Sequence, residues 1–211
     1  MINTEKMFTV IHPPKTGGNS VHAFMKNNRM YTTEILSTTN QNGANEGVDC
    51  KEFVKHATIR ERVERMKSMG EDPHKYRFLI TVRNPYDAMV SMFHWETNPT
   101  AVFEATLRNF EHWLFSRGQN YRDWFMNIVG GREDYHYSWI RLEQQAEILS
   151  SLRSEYGFEE DVHLVESKLV NVSRKRNQRD FKDYYRNDRS VGYVESLWKE
   201  ILDELGYGFD A

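Results

Sequence analysis

At 211 residues the chain fits one domain better than two, and the expectation is one domain spanning residues 1–211. Hydrophobic residues make up 39% of it, with 12 Phe, 11 Tyr and 5 Trp, enough apolar material for a buried core, which excludes disorder of the whole chain. The 28 basic and 31 acidic residues leave a net charge of -3, which excludes a protein that coats nucleic acid by bulk charge, so any anion site has to be local.

Glu5 and Lys6 stand where a signal peptide would have its apolar stretch. The longest apolar runs, such as Phe78 to Ile80, fall far short of the roughly 20 residues of a membrane span, so a soluble, cytoplasmic protein is expected. The lone Cys50 excludes an internal disulfide and a cysteine-rich zinc site.

Met7 to Ile11 is a β-branched and aromatic run closed by His12-Pro13-Pro14, which predicts a buried strand stopped by two prolines. After Lys15-Thr16-Gly17-Gly18, the spacing of Val21, Phe24 and Met25 predicts a helix from Asn19 or Ser20. Phe53 and Val54 predict a short strand ending at His56. Thr58 and Glu61 then have capping-box spacing ahead of an Ile59, Val63 and Met66 stripe that Gly70 terminates. Phe78 to Val82 reads as a strand covered on both faces, and Asn84-Pro85 as the start of a helix that buries Ala88, Met89, Met92 and Phe93.

Further on, Phe103, Leu107, Phe110 and Leu114 have helical spacing, as do Ile148, Leu149 and Leu152. Tyr137 to Leu142 predicts a fourth strand, Asn171 to Asp188 a long charged loop, and Val194, Leu197, Trp198, Ile201 and Leu205 a closing helix ended by Gly206. Strands alternating with helices predict a three-layer α/β domain, P-loop-like, with a mainly parallel central sheet and a helical C-terminal half.

Two segments carry chemistry. Lys15, Thr16, Gly17, Gly18, Asn19 and Ser20 lie between a predicted strand and a predicted helix, where loop amides and the helix dipole favour an anion. A Walker A loop has its lysine after the glycines, and here Lys15 precedes them. Arg83 follows the next strand, at the sheet edge where open α/β proteins bind ligands, and Ser91 lies two turns into the following helix. Arg83 can grip a phosphate with two N–H groups; the plainer alternative is an arginine paired with a carboxylate. Together the segments suggest a ligand with two separated anionic groups.

The segments His12 to Ser20 and Val82-Arg-Asn-Pro-Tyr-Asp-Ala-Met-Val-Ser91 resemble the signatures of sulfotransferases that use 3′-phosphoadenosine 5′-phosphosulfate (PAPS), especially the carbohydrate-type branch. The resemblance is strong over residues 7–25 and 77–93, weaker in Trp139 to Glu143 and Asn171 to Phe209, and missing over 94–136. Pro13 and Asn19 depart from the family pattern. The resemblance implies that Lys15 contacts the transferring sulfuryl group and that Thr16 to Ser20 bind the 5′-phosphate. It further implies that Arg83 and Ser91 bind the 3′-phosphate, and that at least one of Arg174, Arg176 and Arg179 closes over the adenine and 3′-phosphate. No metal is expected.

The acceptor, expected to be a carbohydrate hydroxyl, has to lose a proton, and His56 is the first candidate base, ahead of His94, Glu96 and His12. Trp95, Trp113 and Trp124 are candidates for an acceptor wall, with Trp113 read as core. The competing functions are a small-molecule kinase with an aberrant P-loop and a module that binds nucleotide or a sulfated ligand without turnover.

Overall fold

The computed structural model describes residues 2–27, 56–97, 106–157 and 179–210. Phe53, Val54, Phe103, Arg174 and Arg176 lie outside them.

Among the described residues four strands pair in sequence order: β1 (Ile2–Asn3), β2 (Phe8–Ile11), β3 (Arg77–Val82) and β4 (His136–Arg141). The first pair is antiparallel and the other two are parallel, so the described sheet is open and mostly parallel. Ile11 stands opposite Ile80, and Val82 opposite Arg141. The carboxyl ends of β2, β3 and β4 therefore lie at one edge of the sheet.

Alternation along the strands gives each face its own core. Phe8, Val10, Leu79 and Ile140 pack with Val21, Phe24 and Met25 of α1 (Gly18–Asn27) and with Leu149 and Leu152 of α5 (Gln145–Glu155). On the other face Ile11, Phe78, Ile80 and Val82 join the apolar stripes of α2 (Ile59–Ser68), α3 (Pro85–Glu96), α4 (Leu107–Val129) and α6 (Asp188–Leu205).

The local signals hold where side chains act on their own backbone. Thr58 and Glu61 make the full capping box at the start of α2. The Asn84 side chain accepts from Tyr86 N–H, with Pro85 at the first position of α3, and Gly206 closes α6 in the left-handed region. Trp113 is buried, as expected of core.

The predicted loop of 171–188 differs over its described part. Phe181–Tyr184 forms a 3-10 turn, Tyr184 and Tyr185 are buried, and α6 already begins at Asp188. Aromatic rings supply the burial that aliphatic residues usually provide: Tyr185 packs edge-on against Tyr86 and donates its hydroxyl to the Tyr86 carbonyl at 2.9 Å.

Candidate functional site

The loop from His12 to Gly18 leaves β2 at the carboxyl edge. Its backbone φ is +66° at Lys15 and +81° at Gly17, with Thr16 and Gly18 outside the positive region. Such alternation of backbone hand over successive residues is the geometry of an anion-binding nest. Glycine is required twice, for different reasons. A Cβ on Gly17 would meet Leu142 Cδ1 at 2.3 Å in a left-handed conformation, and a Cβ on Gly18 would lie 1.9 Å from the His12 ring.

Thr16 is buried, and its single hydroxyl proton goes to the Pro13 carbonyl at 2.7 Å. The hydroxyl of Thr81, 2.6 Å away, is then the donor to Thr16 Oγ1. This hydroxyl ties the loop to β3, so what Thr16 can offer a ligand is its backbone amide. Ser20 is buried in the first turn of α1, where its N–H bonds the Gly17 carbonyl at 2.9 Å, and Asn19 is half-buried beside it.

On the adjacent strand, Arg83 stands directly after β3 and Asp87 and Ser91 follow it at four-residue intervals along α3. The plainer alternative for Arg83 is met: its Nε donates to Asp87 Oδ2 at 2.5 Å, and its Nη2 pairs with the same oxygen. Two of the five guanidinium N–H groups are directed at Asp87, which fixes the orientation of the fork. Ser91 is half-buried one turn beyond Asp87.

The turn that carries Arg83 is clamped from distant parts of the chain. Glu143 Oε1 accepts from Asn84 N–H at 2.7 Å, and Glu143 Oε2 accepts from the Tyr207 hydroxyl at 2.8 Å. Asn84 Nδ2 reaches the Gly208 carbonyl at 3.4 Å, and Arg141 donates to the Leu205 carbonyl at 2.6 Å. Leu142 and Gln145 from the same β4 end touch Gly17. Three strand-end turns therefore pack into one surface. Arg179 is exposed two residues before Phe181, whose ring stacks on Tyr86 in the first turn of α3.

His56 also comes to this edge. Its Nδ1 lies 2.7 Å from the His12 carbonyl, and its ring centroid is 4.9 Å from that of His12. A carbonyl only accepts, so Nδ1 carries the proton and Nε2 is the basic nitrogen of the neutral ring. The other candidate bases are engaged elsewhere. His94 is buried with its Nε2 2.6 Å from the Tyr184 hydroxyl, Glu96 accepts from Trp113 Nε1 at 2.6 Å, and His12 backs Gly18 from inside.

Tyr121 of α4 completes the frame by donating to the Pro14 carbonyl at 2.9 Å. Burial raises its phenol far above the ordinary range, and the nearby Arg83 only partly opposes this, so Tyr121 remains a neutral donor.

Sequence reasoning missed Tyr121, Asp87, Glu143 and Tyr207 as supports. Only the weak resemblance in Trp139 to Glu143 and in the closing segment pointed toward the last two. Among the described residues no group of three or more His, Cys, Asp or Glu could hold a metal ion, and no helix is long and apolar enough to cross a membrane. No protein-family model and no curated protein matches this chain.

Proposed function

We propose that the chain is a PAPS-dependent sulfotransferase of P-loop-like, three-layer architecture that transfers a sulfuryl group to a carbohydrate hydroxyl. The observation that carries this reading is the backbone nest at Lys15 to Gly18 in the loop after β2, on the same sheet edge as an oriented arginine at the end of the neighbouring strand β3. Adjacent strands are about 4.8 Å apart, a spacing that suits two phosphate-type groups of one nucleotide.

In the proposed reaction the acceptor oxygen attacks sulfur in line and the bond from sulfur to the bridging phosphate oxygen breaks. The acceptor proton passes to His56 Nε2, and adenosine 3′,5′-bisphosphate leaves. Lys15 and the nest amides stabilise the charge that develops on the leaving phosphate. Arg83 and Ser91 hold the 3′-phosphate and so supply position.

Calorimetry with adenosine 3′,5′-bisphosphate and adenosine 5′-phosphate tests the reading. The wild type should prefer the bisphosphate, and Arg83→Ala should lose roughly 10- to 100-fold in that affinity with little change for the monophosphate, the scale of a charged hydrogen-bonded contact. Equal losses for both ligands would give Arg83 a purely structural role. Magnesium-dependent ATP turnover would favour the kinase, and bisphosphate binding without transfer to any acceptor would favour a binding module.

A further inference from the structure

Two large hydrophobic side chains among the described residues are conspicuously exposed, Trp95 at 55% and Trp124 at 36%. An exposed indole is uncommon, because the ring gains more from burial than almost any other side chain. Trp124 stands against the candidate base: its ring centroid is 5.7 Å from that of His56, with the two planes at 81°.

Its position is fixed from both sides. Tyr121, one turn earlier on α4, is bonded to the Pro14 carbonyl beside Lys15, and Phe125, the next residue, is buried against Trp139 and Trp198. The indole is therefore held by a helix anchored to the donor loop itself.

The chemistry around the ring selects its ligand. Asn120 and Asn127 lie one turn before and after Trp124 on the same exposed face of α4. Each carries an amide that both donates and accepts. An aryl acceptor would cover the indole and offer those amides little. A pyranose ring has an apolar C–H face to lay on the indole and hydroxyls at its rim to meet the amides and the imidazole.

We propose that Trp124 is the acceptor platform, on which a pyranose unit stacks with one hydroxyl directed at His56. This rests on the sulfotransferase reading and assigns the side chain that holds its acceptor. In the transfer, that hydroxyl oxygen bonds to sulfur, its proton goes to His56 Nε2, and the electron pair of the broken sulfur–oxygen bond leaves with adenosine 3′,5′-bisphosphate.

The test compares wild type, Trp124→Ala, Trp124→Phe and His56→Ala on chitotriose, maltotriose and 2-naphthol with ³⁵S-labelled donor. Saturation-transfer NMR measures saccharide binding on the same proteins without turnover. Trp124→Ala should raise KM for the saccharide used by roughly 10-fold or more and abolish its NMR signal, Trp124→Phe should recover most of both, and bisphosphate affinity should not move. His56→Ala should instead lower kcat at nearly constant KM.

Unchanged KM and unchanged saccharide signal in Trp124→Ala overturn the platform while leaving the sulfotransferase reading intact, and so does a preference for 2-naphthol that survives the substitution. Failure of the wild type to bind the bisphosphate, with a Trp124-dependent saccharide signal still present, overturns the donor reading and keeps the sugar platform.

Discussion

Lys15 combines two properties that can be separated by substitution: a charge in the loop after β2 and a left-handed backbone, the latter costing an L-residue about 1–2 kcal/mol. Lys15→Ala and Lys15→Gly both remove the charge, and each should lower turnover by roughly 10²-fold. In urea unfolding the glycine variant should be the more stable of the two by about 1 kcal/mol, because only glycine takes this φ without strain. An alanine variant at least as stable as the glycine one would show that Lys15 is not left-handed in solution. At Gly17 the same left-handed backbone falls on a glycine and carries no such strain, whereas Gly18 is a position where the His12 ring leaves no room for a side chain.

At the scale of an element, α2 matters because its N-cap Thr58 stands two residues after His56 and so fixes where the imidazole leaves the helix. Hydrogen bonds from the Thr58 backbone and side chain hold the Glu61 carboxyl below its ordinary value. A lowered folded value means that this contribution is present above the unfolded value of 4.5 and lost as pH falls through the folded one. Thr58→Ala should cost about 1 kcal/mol near pH 7 and move the Glu61 titration, followed by NMR, toward 4.5. An unshifted Glu61 titration in that variant would mean that the capping box is not formed.

This box was legible because it joins residues three apart, and β3 was legible because five buried residues follow one another. The start of α3 declared itself through Asn84-Pro85. The two-residue β1 has too few side chains to show a period. The helical spacing seen at Leu107, Phe110 and Leu114 runs on through Tyr121, Phe125 and Ile128, but the charged and exposed residues between them hid the full length of α4. The loop from Lys15 to Ser20 and Arg83 could be picked out as types in a pattern. The partners of Arg83 and Asn84 could not: Asp87 reads as an ordinary first-turn acid, and Glu143 reaches Asn84 across 59 residues of sequence.

Across the whole molecule, the candidate site residues gather at the carboxyl edge of the sheet, and a separate charged cluster packs against β4 around Arg132. Arg132 is buried there, paired with Glu133, Glu200 and Glu204, and its guanidinium lies over the rings of Tyr137 and Trp139. Burial pushes the Glu204 carboxyl up, but hydrogen bonds from Trp139, Tyr137 and Arg132 outweigh it and leave the group below its ordinary value. Glu204 is partly exposed, so solvent screening limits its worth, and Glu204→Gln should cost roughly 1 kcal/mol at neutral pH. The difference from wild type should be complete above the ordinary value of 4.5 and close as pH falls below it, with bisphosphate affinity unaffected throughout. Thermal unfolding of both proteins between pH 7 and pH 3 measures this; a gap that persists unchanged into acid would remove Glu204 as its source.

The clamp on Asn84 sets the order in which the surface at the carboxyl edge of the sheet can be completed. Asn84 and Gly208 are 124 residues apart, and the Glu143 to Tyr207 bond spans another 64. Contacts this remote form late, because the entropy of closing long loops has to be met before they contribute. During synthesis the nest at Lys15 to Gly18 leaves the ribosome before the turn bearing Arg83, which gains its last supports only when residues 205–208 have emerged. The loop at Lys15 to Gly18 can therefore form before the turn bearing Arg83 is clamped, and the proposed site is complete only once both are in place.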